Sequence, residues 1–235
     1  GALRAGAGLV TLGVPSEALD AHAARGPDAL MLRLCNGGAG LAVLLADSRR
    51  NAVVIGPAHG VGAETRAAVS AVLGARRAAV LDADALTSFE GAVEALAALT
   101  RAAGNVVLTP HDGEFARLFG PALASTSRLH RALEAAAMTS AVVVLKGPST
   151  IVAAPDGRAV VNVNAPPWLG TAGSGDVLAG VVGGLLAQGF GPWDAARAGV
   201  WLHGEAGRIA GRGLIADDLP EALAAVWREL EAAAG

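Results

Sequence analysis

The sequence predicts an α/β fold with a mainly parallel sheet and one antiparallel hairpin, on three observations. Short β-branched runs alternate with alanine-rich amphipathic stretches of helical length, the pattern of repeated βα units. One segment, Thr150–Val163, breaks this pattern. There Ile151-Val152-Ala153-Ala154, then Pro155-Asp156-Gly157, then Arg158–Val163 reads as a hairpin at a sheet edge. Finally, 32 glycines, abundant alanine and 3% aromatic residues suit helices packed closely on strands. With 235 residues and 53% hydrophobic content, the chain can bury one substantial core and reads as a single domain.

In chain order, the first strand is Leu9–Val14, apolar and β-branched until Pro15. Ala52–Gly56 is the second, and Gly62–Leu73 follows it with the apolar spacing of a helix. Ala78–Asp82 is the next strand and Phe89–Ala102 the helix after it. Asn105–Thr109, stopped at Pro110, and Val142–Leu145, stopped at Lys146, complete the parallel set, with the helix Ser125–Thr139 between them. Beyond the hairpin come the helices Asp176–Gln188, Pro192–Ala210 and Asp217–Ala234.

Charge and cysteine usage narrow the function. A net charge of −3, with no basic run longer than Arg49-Arg50 or Arg76-Arg77, argues against a nucleic-acid or membrane-surface binder. One cysteine, Cys35, excludes an internal disulfide and multi-cysteine metal sites, so a reducing cytoplasm is the simplest location and Cys35 is expected as a buried apolar residue. The longest apolar run, Val177–Ala187, falls short of the roughly 20 residues of a membrane helix. No signal peptide is visible, and a start at Gly1 without methionine suggests residues upstream.

The most informative stretch is Leu169-Gly170-Thr171-Ala172-Gly173-Ser174-Gly175-Asp176, running into the apolar Val177–Gly184. It reads as an anion site: small residues let backbone N–H groups converge on negative charge at a helix N-terminus. Asp176 at its mouth is either a helix N-cap or a base that takes a proton from a hydroxyl while the N–H groups hold a phosphoryl group. Lys146 is the only lysine among 18 cationic residues, so it is either a phosphate-binding ammonium or a surface lysine left by chance. Asp82 and Asp84 at a strand end can hold Mg²⁺ or a ribose, or one of them caps the next helix. Glu114 falls in the first helical turn after His111, near a metal, with His111 facing the cleft. His203 and Glu205 read as packing or helix-surface residues. No Walker loop, G-x-G-x-x-G fingerprint, G-x-S-x-G elbow or zinc motif is present.

The ordered set Arg4–Thr11, Val54-Ile55-Gly56-Pro57, Leu81–Leu86, Leu108–His111, Gly113-Glu114, Leu145-Lys146-Gly147 with Thr150, and Gly170–Gly180 resembles the ADP- or ATP-dependent NAD(P)H-hydrate dehydratases. The resemblance spans nearly the whole chain. It implies a ribokinase-like three-layer α/β/α sandwich over residues 1–235, lacking the N-terminal strand and loop with which family members begin. It also implies ADP or ATP and Mg²⁺, for which Asp82 and Glu114 are the expected ligands from the residue pattern above, an assembly of like subunits, and a fused or separate NAD(P)H-hydrate epimerase.

By the same resemblance Lys146, Gly147, Pro148, Ser149, Thr150 and Gly175 contact the adenine nucleotide, and His111, Asp176, Gly56, Ala58 and Gly60 contact the hydrated nicotinamide nucleotide. Asp176 would act as base, with the backbone of Ala172–Gly175, including Gly173 and Gly175, holding the phosphoryl group. Two departures stand out: Ala58-His59-Gly60 where the family reads Gly-Leu-Gly, and Asp112 in place of a common proline. A kinase for a vitamin-precursor alcohol, or a catalytically silent nucleotide-binding regulator, would share the anion site. The Thr109-Pro110-His111 and Asp82–Leu86 motifs favour the dehydratase.

Overall fold

Side chains that alternate along short valine-rich strands point to opposite faces of a sheet, and this chain buries both faces. The computed structural model describes residues 1–120, 123 and 127–235. It opens with β1 (Val10–Val14), α1 (Leu19–Arg25), β2 (Leu30–Leu34) and α2 (Gly37–Ala46). Then come β3 (Ala52–Ile55), α3 (Ala63–Gly74), β4 (Ala78–Leu81), α4 (Asp84–Thr87), α5 (Val93–Ala103), β5 (Val106–Leu108), α6 (Asp112–Phe119), α7 (Arg128–Thr139) and β6 (Val142–Leu145). The hairpin strands β7 (Thr150–Ala153) and β8 (Ala159–Asn162) follow, then α8 (Ser174–Ala187), α9 (Pro192–Ala210) and α10 (Leu219–Ala234).

The main sheet has six strands in the order β3-β4-β5-β6-β7-β8. The first four are parallel, and β7 and β8 are added antiparallel, with Leu145 opposite Ile151 and Val152 opposite Val160. Because each parallel strand joins on the same side of the last, right-handed crossovers put α3, α5, α6 and α7 on one face. That face buries Leu81, Leu108, Val143, Leu145 and Ile151 against Val72, Leu96, Phe115 and Ala136. The alternate residues Val80, Val107, Val144 and Val152 pack against Leu178, Val182, Leu202 and Leu223 of α8, α9 and α10. The expected α/β/α sandwich with an antiparallel hairpin is therefore what the chain adopts.

The N-terminal region departs from expectation. The strand expected at Leu9–Val14 forms, but it pairs in parallel only with β2, in a separate two-stranded sheet, from Val10 opposite Leu30 to Val14 opposite Leu34. The sequence reading missed β2 because Leu-Met-Leu-Arg-Leu has no β-branched residue, and α2 because it buries none of its residues and so shows no stripe. Cys35, just beyond β2, is half-buried rather than buried as expected, since this small sheet has no second layer of core over it. The helix expected from Ser125 is described from Arg128, with the Ser127 hydroxyl accepting from His130 N–H as its cap; positions 125 and 126 lie outside the described residues. Among the described residues, no helix is long and apolar enough to cross a membrane.

Small residues keep the helical layer close to the site. A Cβ at Gly184 would come within 2.7 Å of the Ala2 carbonyl oxygen, so the N-terminal backbone lies directly along α8. Gln188 and Trp227 fix that segment by donating to the carbonyls of Ala5 (2.7 Å) and Arg4 (2.9 Å).

Candidate active site

Ligands of an open α/β sheet collect beyond the carboxyl ends of its parallel strands. Here those ends bring Asp82 after β4, His111 after β5 and Lys146 after β6 to the N-terminus of α8. Lys146 N–H donates to the Pro110 carbonyl at 2.8 Å, and Lys146 bridges in parallel with His111, which places the two side by side. The Lys146 ammonium donates to Asp82 Oδ1 at 2.7 Å and lies 3.8 Å from Glu114 Oε2. Its side chain is 17% exposed and that of Asp82 only 1%, so this pair is largely out of water. A Cβ added to Gly175 would sit 3.3 Å from Lys146 Nζ, which puts the ammonium against the first turn of α8. Lys146 is therefore no stray surface lysine.

The glycine run resolves the two readings of Asp176. The helix starts at Ser174, and its N-cap is Gly173 in the left-handed region (φ 84), a conformation glycine adopts without a Cβ clash. Asp176 is the third helical residue, and no side chain caps the helix. Ser174 N–H donates to the Thr171 carbonyl at 3.3 Å, the N–H groups of Gly175 and Asp176 keep their positive end for a ligand, and the Asp176 carboxylate is not spent on the backbone. Partial burial, and then the negative charge of Asp82, raise the Asp176 carboxyl above its ordinary pKa; Lys146 offsets part of this. A more basic carboxylate results.

Behind the run stands His203 of α9, which the sequence reading left as a packing or surface residue. It is 9% exposed, and its Nε2 lies 3.0 Å from the Ser174 carbonyl oxygen, so the neutral ring carries its proton on Nε2 and donates. Burial drives its pKa down to about 4, against the opposing pull of that hydrogen bond. Ser174 Oγ in turn donates to the Leu169 carbonyl at 2.7 Å, tying both ends of the glycine run to the core.

The remaining expected residues have structural ties of their own. His111 is the N-cap of α6: its Nδ1 accepts from Gly113 N–H (2.9 Å) and Glu114 N–H (3.2 Å), while Glu114 Oε2 accepts from His111 N–H (2.8 Å). That leaves the His111 Nε2 edge of a half-exposed ring, with Glu114 Oε1 3.3 Å away. Gly56 (φ 131) lies so close to β4 that a Cβ would stand 1.7 Å from the Asp82 carbonyl oxygen, so only glycine fits. Ala58, the departure from glycine, has a φ of 54, the handedness glycine supplies. Gly60 N–H donates to Asp84 Oδ2 at 2.8 Å, so Asp84 holds this loop. Thr150 is buried, with its hydroxyl on the Gly147 carbonyl (3.1 Å), and shapes the turn in which Pro148 and Ser149 are exposed.

Asp112, the second departure, pairs with Arg128, whose Nη2 also reaches the Lys146 carbonyl at 3.1 Å. Arg128 had no signal in the sequence, because its role comes from α7 lying over the β6 end. Asp82 and Glu114, expected as Mg²⁺ ligands, both face the Lys146 ammonium. The Lys146 ammonium occupies the place between them that a cation would take, and Glu114 is committed to the α6 cap. Among the described residues, no group of three or more His, Cys, Asp and Glu side chains could hold a metal ion.

Comparison with known proteins settles the family. A family model described as NAD(P)H-hydrate dehydratase matches residues 1–225. The chain belongs to this dehydratase family. A bifunctional NAD(P)H-hydrate repair enzyme of Gloeobacter violaceus is 42% identical over 216 residues, covering 88% of this chain and 40% of the relative. An ADP-dependent (S)-NAD(P)H-hydrate dehydratase of Neisseria meningitidis is 43% identical over 166 residues, 68% of this chain and 55% of the relative. The chain thus spans about half or less of these dehydratase relatives. Among solved structures, the Bacillus subtilis ADP/ATP-dependent NAD(P)H-hydrate dehydratase co-crystallised with ATP/Mg²⁺ superposes with a TM-score of 0.78 at 28% identity, over 97% of this chain and 83% of that one.

Proposed function

We propose that the protein carries out the ADP-dependent dehydration of (6S)-NAD(P)H hydrate to NAD(P)H. The observation that carries this reading is an uncapped α8 N-terminus with the only lysine of the chain and an unspent, basic carboxylate beside it. Hydroxide is a poor leaving group, and phosphorylation turns it into a good one. Asp176 takes the proton of the hydroxyl at C6 of the nicotinamide ring, and the oxygen attacks the terminal phosphoryl of ADP, releasing AMP. Lys146 and the N–H groups of Gly173 and Gly175 hold the charge that spreads over the phosphoryl oxygens. The lone pair of ring nitrogen N1 then expels phosphate from C6, and loss of a proton from C5 restores the C5=C6 bond. His111, fixed through Nδ1, presents Nε2 to the nicotinamide nucleotide.

Among the described residues no group of three or more His, Cys, Asp and Glu side chains forms a metal cage, and Mg²⁺ characteristically binds through substrate phosphates with few protein carboxylates. We therefore assign Mg²⁺ to the nucleotide, where it neutralises phosphate charge when bound. A single half-buried cysteine suits a reducing cytoplasm. The bifunctional relatives support an NAD(P)H-hydrate epimerase as a fused or separate partner. Exposed apolar side chains at Leu9, Leu34 and Val43 support an assembly of like subunits that covers them.

The test is recovery of NADH absorbance from NADH hydrate, with ADP and ATP side by side. NADH formation with stoichiometric AMP and phosphate is expected with ADP. Accumulation of a phosphorylated compound without NADH would make the protein a kinase instead.

A further inference from the structure

Asp82 is the most deeply buried ionisable group of the site, and the chemistry above gives it no contact with either reactant. Its Oδ1 accepts the Lys146 ammonium at 2.7 Å, while its Oδ2 is buried without a hydrogen-bond partner. A carboxylate kept in the interior with half its acceptors unused is unfavourable in itself, so its charge has to serve something. The backbone around it is held from three sides. Asp82 N–H donates to Ile55 at 3.1 Å, its carbonyl accepts from Ala85 at 3.0 Å, and Gly56 is pressed against that carbonyl. Lys146, by contrast, carries its charge on a flexible four-carbon stem.

We infer that Asp82 is the positioning residue that clamps the Lys146 ammonium against the first turn of α8, ready for the phosphates of an adenine nucleotide. This rests on the nucleotide role of Lys146 proposed above. Arg128 fixes the Lys146 backbone through its carbonyl, and Asp82 fixes the tip. Glu114, at 3.8 Å and already accepting from His111 N–H, is a weaker second partner. An ammonium has three donors, so one bond to Asp82 leaves the others for phosphate oxygens.

Labelling with ¹⁵N-lysine yields a single side-chain resonance, because Lys146 is the only lysine. In the ligand-free wild type the Nζ signal is expected to persist at neutral pH, its protons shielded from exchange by Asp82. In Asp82→Asn it should be lost to exchange, and the calorimetric Kd for ADP should rise about tenfold. A purely structural loss would lower the fraction of binding sites and leave Kd unchanged. Unchanged exchange, or an unchanged Kd, in a folded Asp82→Asn overturns the clamp. Should that variant not fold, the wild type decides, since an Nζ signal already lost to exchange at neutral pH also overturns it. Neither readout needs turnover, so failure of NADH recovery in the wild type would refute the dehydratase reading while the clamp is still judged by these signals.

Discussion

At the scale of single residues, the proposed chemistry depends on Asp176 standing inside the first turn of α8 and not at its cap. A cap aspartate would give its oxygens to the backbone; here Gly173 stands at the N-cap and the carboxylate stays available. The variant Asp176→Asn keeps shape and ADP binding, and turnover should fall at least on the order of 10²-fold, as for loss of a general base. A steady-state assay with NADH hydrate and ADP checks this, and turnover near the wild-type level would end the general-base role. The raised pKa also has a consequence for stability. Ionised Asp176 is less favourable in the folded than in the unfolded chain, so its contribution is full at low pH and is lost as pH rises through the folded pKa. Asp176→Asn should therefore melt at a higher temperature than the wild type at neutral pH, and the gap should close on acidification.

At the scale of elements, two helix ends carry the site. His111 caps α6 and is proposed to face the substrate, and two substitutions separate these roles. Asparagine is a good N-cap and alanine is not, so His111→Ala should lose about 1 kcal/mol of stability while His111→Asn loses much less. Both should lose activity, measured with NADH hydrate; full activity in His111→Asn would reduce the ring to a cap. The second end is the seam where His203 of α9 donates to Ser174 of α8. The folded pKa of about 4 lies below the ordinary 6.5, so the unfolded chain takes up the proton first and stability falls as pH drops from 6.5 towards 4. From this group alone the loss approaches about 3 kcal/mol across that window. Urea unfolding at pH 7 and pH 4.5 should show it in the wild type, and a folded His203→Gln should show a shallower dependence.

At the scale of the whole molecule, legibility followed burial. The strands β3 to β6 and the helices α8 to α10 were readable because they fill the two cores on either face of the sheet, which imposes apolar runs and periodic spacing. β2 and α2 bury no residue, so no pattern recorded them. In the site, Lys146 and Asp176 were visible through rarity and glycine context. Asp82 as partner of Lys146, Arg128 beneath it and His203 behind Ser174 come from segments far apart in sequence, and only the packing of layers joins them. That packing uses glycine. A Cβ at Gly199 of α9 would come 2.7 Å from Val182 Cγ2 on α8, and Val182 is wholly buried and has no room to yield. Gly199→Val should therefore cost about 1–3 kcal/mol through overpacking. Gly199 and His203 are four residues apart on one helix face, so pushing α9 outward there also draws His203 away from Ser174. The variant is expected to lose stability in urea at pH 7 and, with its imidazole opened to water, to show a weaker fall in stability from pH 7 to pH 4.5. A destabilised Gly199→Val that keeps the full pH dependence would show that the contact with Ser174 is independent of the spacing between the two helices.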